Sequence, residues 1–170
     1  MKNAKGFIGT LLFLLYAYLL IKIILFKFGS ADLPFLWHQL QSTIVNPEYL
    51  HGHSRSVNLE PFKSIAQNLH RFSNPHDQIN LIGNIAIFLP CGVFFGLLSN
   101  RGVLSFLWAA ALSLAVSLGL ECAQLVFAIG SFDVDDLILN VSGGLLGWVV
   151  LVLIKQAYVK PAVANKAVPH

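Results

Sequence analysis

Four long stretches of this chain contain few residues that prefer water, and each reaches the roughly 20 residues a helix needs to cross about 30 Å of hydrocarbon. They cover residues 7–28, 79–98, 103–129, and 135 to 153 or slightly beyond. A backbone in lipid must satisfy its own polar groups, which leaves helices and closed barrels. The apolar runs are continuous and lack the period-two alternation of barrel strands. The expectation is an all-α integral membrane protein with four transmembrane helices and a long extracytoplasmic loop after the first. A composition of 56% hydrophobic against 11% charged residues points the same way, being too apolar for a water-soluble globule.

The segments divide the chain into an N-terminal helix (1–28), a polar loop (29–78), a three-helix membrane core (79–158) and a tail (159–170). Lys2 and Lys5 ahead of an apolar run also resemble a signal peptide. Lys22 and Lys27 interrupt that run, and Gly29-Ser30-Ala31 is a poor cleavage site, so the segment reads as a retained helix. Lys22 then snorkels to the nearer surface. With the N-terminus inside, Lys2, Lys5, Arg101, Lys155, Lys160 and Lys166 lie inside, against Lys27, Arg55, Lys63 and Arg71 outside. That bias places both termini in the cytoplasm.

In the loop, Leu36, Trp37 and Leu40 share one face of a short helix over 33–41 that suits the headgroup layer. Asn46-Pro47, Asn58 to Pro61 and Asn74-Pro75 mark turns. Within the hydrocarbon, Asn80 and Asn84 lie one turn apart on the second helix. Ser117, Glu121 and Gln124 share a face of the third, and Asp136 and Asn140 a face of the fourth. At 1.5 Å per residue these stripes fall within roughly 12–18 Å of the outward surface, so a polar pocket is expected there. A central acid costs about 2.5–3.5 kcal/mol on insertion scales, which turns such groups toward partners in the bundle. Glu121 is the sharpest case, expected to hydrogen-bond Asn84 or Asn140.

A plainer reading stands beside this one. Asn, Gln and Ser act as glue between helices, and Gly92-x-x-x-Gly96 and Gly143-x-x-x-Gly147 support close packing. Asp133 and Asp135 read equally as solvated turn residues capping the fourth helix.

Four pieces in order resemble the VanZ-like membrane protein family across residues 58–147. They are "NLEPF" from Asn58, "INLIGNIAIFLPCG" from Ile79, Glu121 with Gln124, and "FDVDDLILNVSGGLLG" from Phe132. The resemblance implies a small bacterial integral membrane protein, with founding members linked to low-level resistance to the glycopeptide teicoplanin. It supplies neither a reaction nor a substrate. It places the family's motif positions on Asn58, Pro61, Phe62, Asn80, Asn84, Pro90, Gly92, Glu121, Gln124, Asp133, Asp136, Asn140 and Gly144. Where many relatives carry an Arg before the acidic turn, this chain has Ile129-Gly130-Ser131, leaving Arg71 or Lys63 as substitute cations.

Other chemistries fit less well. His51, His53, His70 and His76-Asp77 lack the tight spacing of a zinc site, and they read as solvated loop residues, so no metal or cofactor is expected. Cys91 and Cys122 differ in depth by roughly 8 Å and read as buried small apolar residues, not as a disulfide. No phosphate loop is visible, and Ser117 has no activating His or Lys on its helix. The net charge of +3 sits mainly on short flanks, which suits anionic lipid and excludes nucleic acid as a partner.

Three readings follow. In the first, Asn58, Asn80, Asn84, Glu121, Gln124, Asp133, Asp136 and Asn140 bind a membrane lipid, a lipid-linked cell-wall precursor or a glycopeptide. In the second, Glu121 and Asp136 perform acid/base catalysis on such a lipid, with Glu121 as proton donor. In the third, the chain is a small transporter, or an accessory subunit docking a membrane-protein partner.

Overall fold

Asn74 and Pro75 open the helix around which the rest is built. The Asn74 side chain accepts the His76 N–H at 3.0 Å, its carbonyl accepts the Asp77 and Gln78 N–H groups, and Pro75 supplies a first helical residue that needs no donor. In the computed structural model, which describes residues 2–26, 32–46, 57–98 and 102–164, the described residues form six helices. They are α1 (Lys2–Phe26), α2 (Leu33–Val45), α3 (Lys63–His70), α4 (Pro75–Leu98), α5 (Gly102–Val126) and α6 (Val134–Ala164). Four of them, α1, α4, α5 and α6, are long and apolar enough to span a membrane. The expected helix in the loop runs on to Val45, and α3 is an addition. The last helix runs to Ala164, well past Leu153, because no Gly or capping turn stops it sooner. Pro47, His51, His53, Arg55 and Arg101 lie outside the described residues.

The tightest join is between α4 and α6, where glycines let the two backbones touch. A Cβ built on Gly92 would lie 1.7 Å from the Gly144 carbonyl oxygen, and one on Gly143 would lie 2.2 Å from that of Ile85. Both Gly-x-x-x-Gly pairs therefore face this seam. α5 closes on it with a buried face of Ser105, Ala109, Ser113, Ser117 and Glu121. Phe88, Cys91 and Phe95 of α4 pack with Ala109 and Leu120 of α5 and with Leu20 and Ile24 of α1. Only Cys91 of the two cysteines is buried; Cys122 is exposed on the outer face of α5, which corrects its reading as an interior residue.

α1 is peripheral, with most of its apolar residues exposed. Two side-chain bonds hold it: Tyr16 donates its hydroxyl to Ile87 O, and Gln124 donates to Ile24 O, both at 2.8 Å. α2 is fastened by the Thr43 hydroxyl, which donates to Val126 O at 3.1 Å, at the end where α5 stops and α6 begins. Asp32 caps α2, accepting the Phe35 N–H at 3.1 Å.

Candidate functional site

The three carboxylates at the start of α6 serve three different partners. Asp133 stands at the N-cap, its Oδ1 accepting the Asp135 N–H at 2.9 Å. The same carboxylate accepts the Asn58 amide at 2.9 Å and the Ser64 hydroxyl. Backbone bonds reinforce this join: Asn58 N–H donates to Phe132 O at 2.8 Å, and Val134 N–H donates to Asn58 O at 3.0 Å.

Asp135 is fully buried and faces the loop. Its two oxygens accept the Phe62 N–H and, at 3.0 Å, the Ile65 N–H, so it caps α3 from 70 or more positions later in the chain. Phe62 holds a left-handed backbone, φ 68, that aims its N–H at this carboxylate. The reading of Asp133 and Asp135 as solvated turn residues is thus corrected. Asp133 does cap α6, but it is half-buried and fully engaged, and Asp135 serves a different helix because the loop folds back over the acidic turn.

Asp136 turns into the bundle. Asn84 donates one side-chain N–H to its Oδ1 at 2.7 Å and the other to Asn80 Oδ1 at 3.3 Å, and all three residues are half-buried. One turn deeper, Asn140 donates to Ser117 Oγ at 2.9 Å, both side chains buried. Glu121, 1% exposed, accepts the Asp133 N–H on Oε2 at 3.0 Å, which fastens the start of α6 to α5. Of the two amides expected beside Glu121, Asn84 donates to Asp136 and Asn80, and Asn140 donates to Ser117.

Seven of the eight expected site residues therefore gather at one end: Asn58, Asn80, Asn84, Glu121, Asp133, Asp136 and Asn140. Gln124 faces away and ties down α1. Of the two candidate cations, Arg71 pairs with Asp77 at 3.6 Å and Lys63 with Glu60 at 3.0 Å. Among the described residues, no three His, Cys, Asp or Glu side chains gather to hold a metal ion. Sequence reasoning missed Ser64 and the capping role of Asp135. The acid was visible, but its target helix is eight mostly polar residues with no apolar run to announce it. Chemically, the half-buried Asn80, Asn84 and Asp136 present amide and carboxylate groups near the N-terminal ends of α4 and α6.

Comparison with known proteins agrees with the motif order. Residues 13–155 match the family described as VanZ/LLP1. Protein VanZ of Enterococcus faecium is 36% identical over 95 residues, which is 56% of this chain and 52% of that protein. The chain thus spans about half the length of that curated relative. No solved structure matches it.

Proposed function

Since the chain belongs to the VanZ/LLP1 family, we propose that it binds a cell-envelope lipid, a lipid-linked precursor or a glycopeptide-type amphiphile at the Asn80–Asn84–Asp136 group, and contributes to teicoplanin resistance. The chain is a multi-pass membrane protein, and in this reading both termini are cytoplasmic and the acidic end faces outward. One observation carries the proposal: a carboxylate linked through Asn84 to Asn80 remains half-buried, while the polar side chains of Ser117, Glu121, Gln124 and Asn140 are enclosed. Glu121, Asn140 and Gln124 are each at most 5% exposed and are occupied by bonds within the fold. Asn80, Asn84 and Asp136 keep accessible surface that packing alone does not require, and polar groups in a membrane are costly enough to be functional by default. Enclosure of Glu121 favours binding over acid catalysis at that residue.

Teicoplanin susceptibility in a host expressing the wild type, Asp136→Asn or Asn84→Leu tests the reading, with membrane abundance equalised. The wild type is expected to protect and both variants to lose most of that protection. Equal protection by all three would remove the cluster from the function.

A further inference from the structure

We infer that α3 lies in the membrane boundary, with Phe62, Ala66 and Leu69 turned to the acyl chains of the leaflet on the acidic side of the bundle. The inference is independent of the binding reading above and of which side of the membrane the acidic end faces.

α3 has three sides of different character. At about 100° per residue, Ser64, Ile65 and Asn68 fall on one side, Phe62, Ala66 and Leu69 on a second, and Lys63, Gln67 and His70 on a third. The first side packs on protein. Ser64 donates its hydroxyl to Asp133, the Ile65 N–H is held by Asp135, and Asn68 is buried, at 6% exposure. α3 thereby rests on both α4 and α6. The other two sides are open. Phe62 is 62% exposed and Leu69 55%, with Ala66 exposed between them, while the third side carries a cation, an amide and an imidazole.

For a helix surrounded by water this arrangement is reversed, since an amide is enclosed and two large apolar side chains are left out. Asn68 Nδ2 is buried with no hydrogen-bond partner among the described residues, so no bond at that nitrogen draws the amide inward. A turn of about 100° about the helix axis would cover Leu69 and return Asn68 to solvent. The clasp of Asp135 on the Phe62 and Ile65 N–H groups sets the rotation instead, and it holds the apolar side outward. Open apolar area is costly against water and costs little against lipid.

Continuity with the spanning surface names the occupant. Past α3 the exposed apolar residues go on with Phe72, then with Ile79 and Ile82 in the first turns of α4, a helix long and apolar enough to cross a membrane. Because α3 packs on α4, the acyl chains that cover Ile79 and Ile82 are the apolar medium nearest to Phe62 and Leu69. Lys63, Gln67 and His70 then meet headgroups and water, as the polar face of an interfacial helix does.

The test uses the full chain in liposomes of phosphatidylcholine and phosphatidylglycerol, with Cys91 and Cys122 replaced and one nitroxide-labelled cysteine at a time. Leu69→Cys and Ala66→Cys report the second side and Gln67→Cys the third. Leu107→Cys, on the exposed apolar face of α5, gives the acyl-chain reference. Electron paramagnetic resonance reads collisions with oxygen, which concentrates among acyl chains, and with a water-soluble nickel chelate. Labels at 66 and 69 are expected to favour oxygen as the label at 107 does, with nickel collisions several-fold fewer than at 67. Nickel collisions at 66 and 69 equal to those at 67 would overturn the inference and place α3 in water. Few collisions with either reagent at 66 and 69 would overturn it as well and mean that protein covers the stripe, and spin–spin broadening would identify that cover as a second copy of this chain. Ala66 and Leu69 are both exposed, so either label decides alone should the other variant fail to fold.

Discussion

At the scale of single residues, the acidic end is a set of assigned partners. Asp135 is the clearest case, because both of its oxygens are taken by backbone N–H groups of the loop and none of its surface meets solvent. Asp135→Ala leaves two buried donors orphaned and is expected to cost about 3 kcal/mol, read as a lowered unfolding temperature in detergent. Asp135→Asn keeps one acceptor and should cost about half as much. In both variants, amide hydrogen exchange at residues 62 and 65 should rise ahead of the rest of the chain. Gln124 makes the opposite point. It belongs to the motif positions, yet its amide reaches Ile24 O, so Gln124→Leu is expected to loosen α1 by about 0.6–1.7 kcal/mol without changing ligand binding. Which residues were polar and deep could be read from the sequence. Their partners were not, because the deciding donors to Asp135 and Glu121 are backbone N–H groups, which every residue but proline carries and no letter distinguishes.

At the scale of elements, the α4–α6 seam separates glycines that are required from one that is incidental. Gly143→Ala would push a methyl into Ile85 O, forcing the helices apart, with an expected loss of about 1–3 kcal/mol. Gly119, on the exposed face of α5, meets nothing within 4 Å, so Gly119→Ala should be neutral or stabilising by up to about 1 kcal/mol. Thermal unfolding of the two variants side by side checks the contrast. The spans and their glycine pairs were legible because a long apolar run and a four-residue spacing are strong local signals. α3 was not, since its helix is short and its N-terminus is completed by a residue of another helix.

At the scale of the whole molecule, the proposed topology has four spans with both termini on one side, which the charge bias would make the cytoplasm. A single cysteine placed at exposed Leu59 should be labelled from outside intact cells by an impermeant maleimide. One placed at exposed Tyr158 should not, both in a background with Cys91 and Cys122 replaced. The reverse pattern would invert the protein and place the acidic end in the cytoplasm.

The bond between Asn84 and Asp136 joins residues 52 positions apart, with the whole of α5 between them. During synthesis at about 5–20 residues per second, α4 therefore waits roughly 3–10 s for its polar face to be answered. Through that interval two asparagines face lipid or whatever insertion machinery shelters them, and the glycine face of α4 has no counterpart. Completion of this bundle is timed by its last helix, so a ribosome that stalls after α5 leaves a hairpin with an unanswered polar face, a natural target for quality control in the membrane.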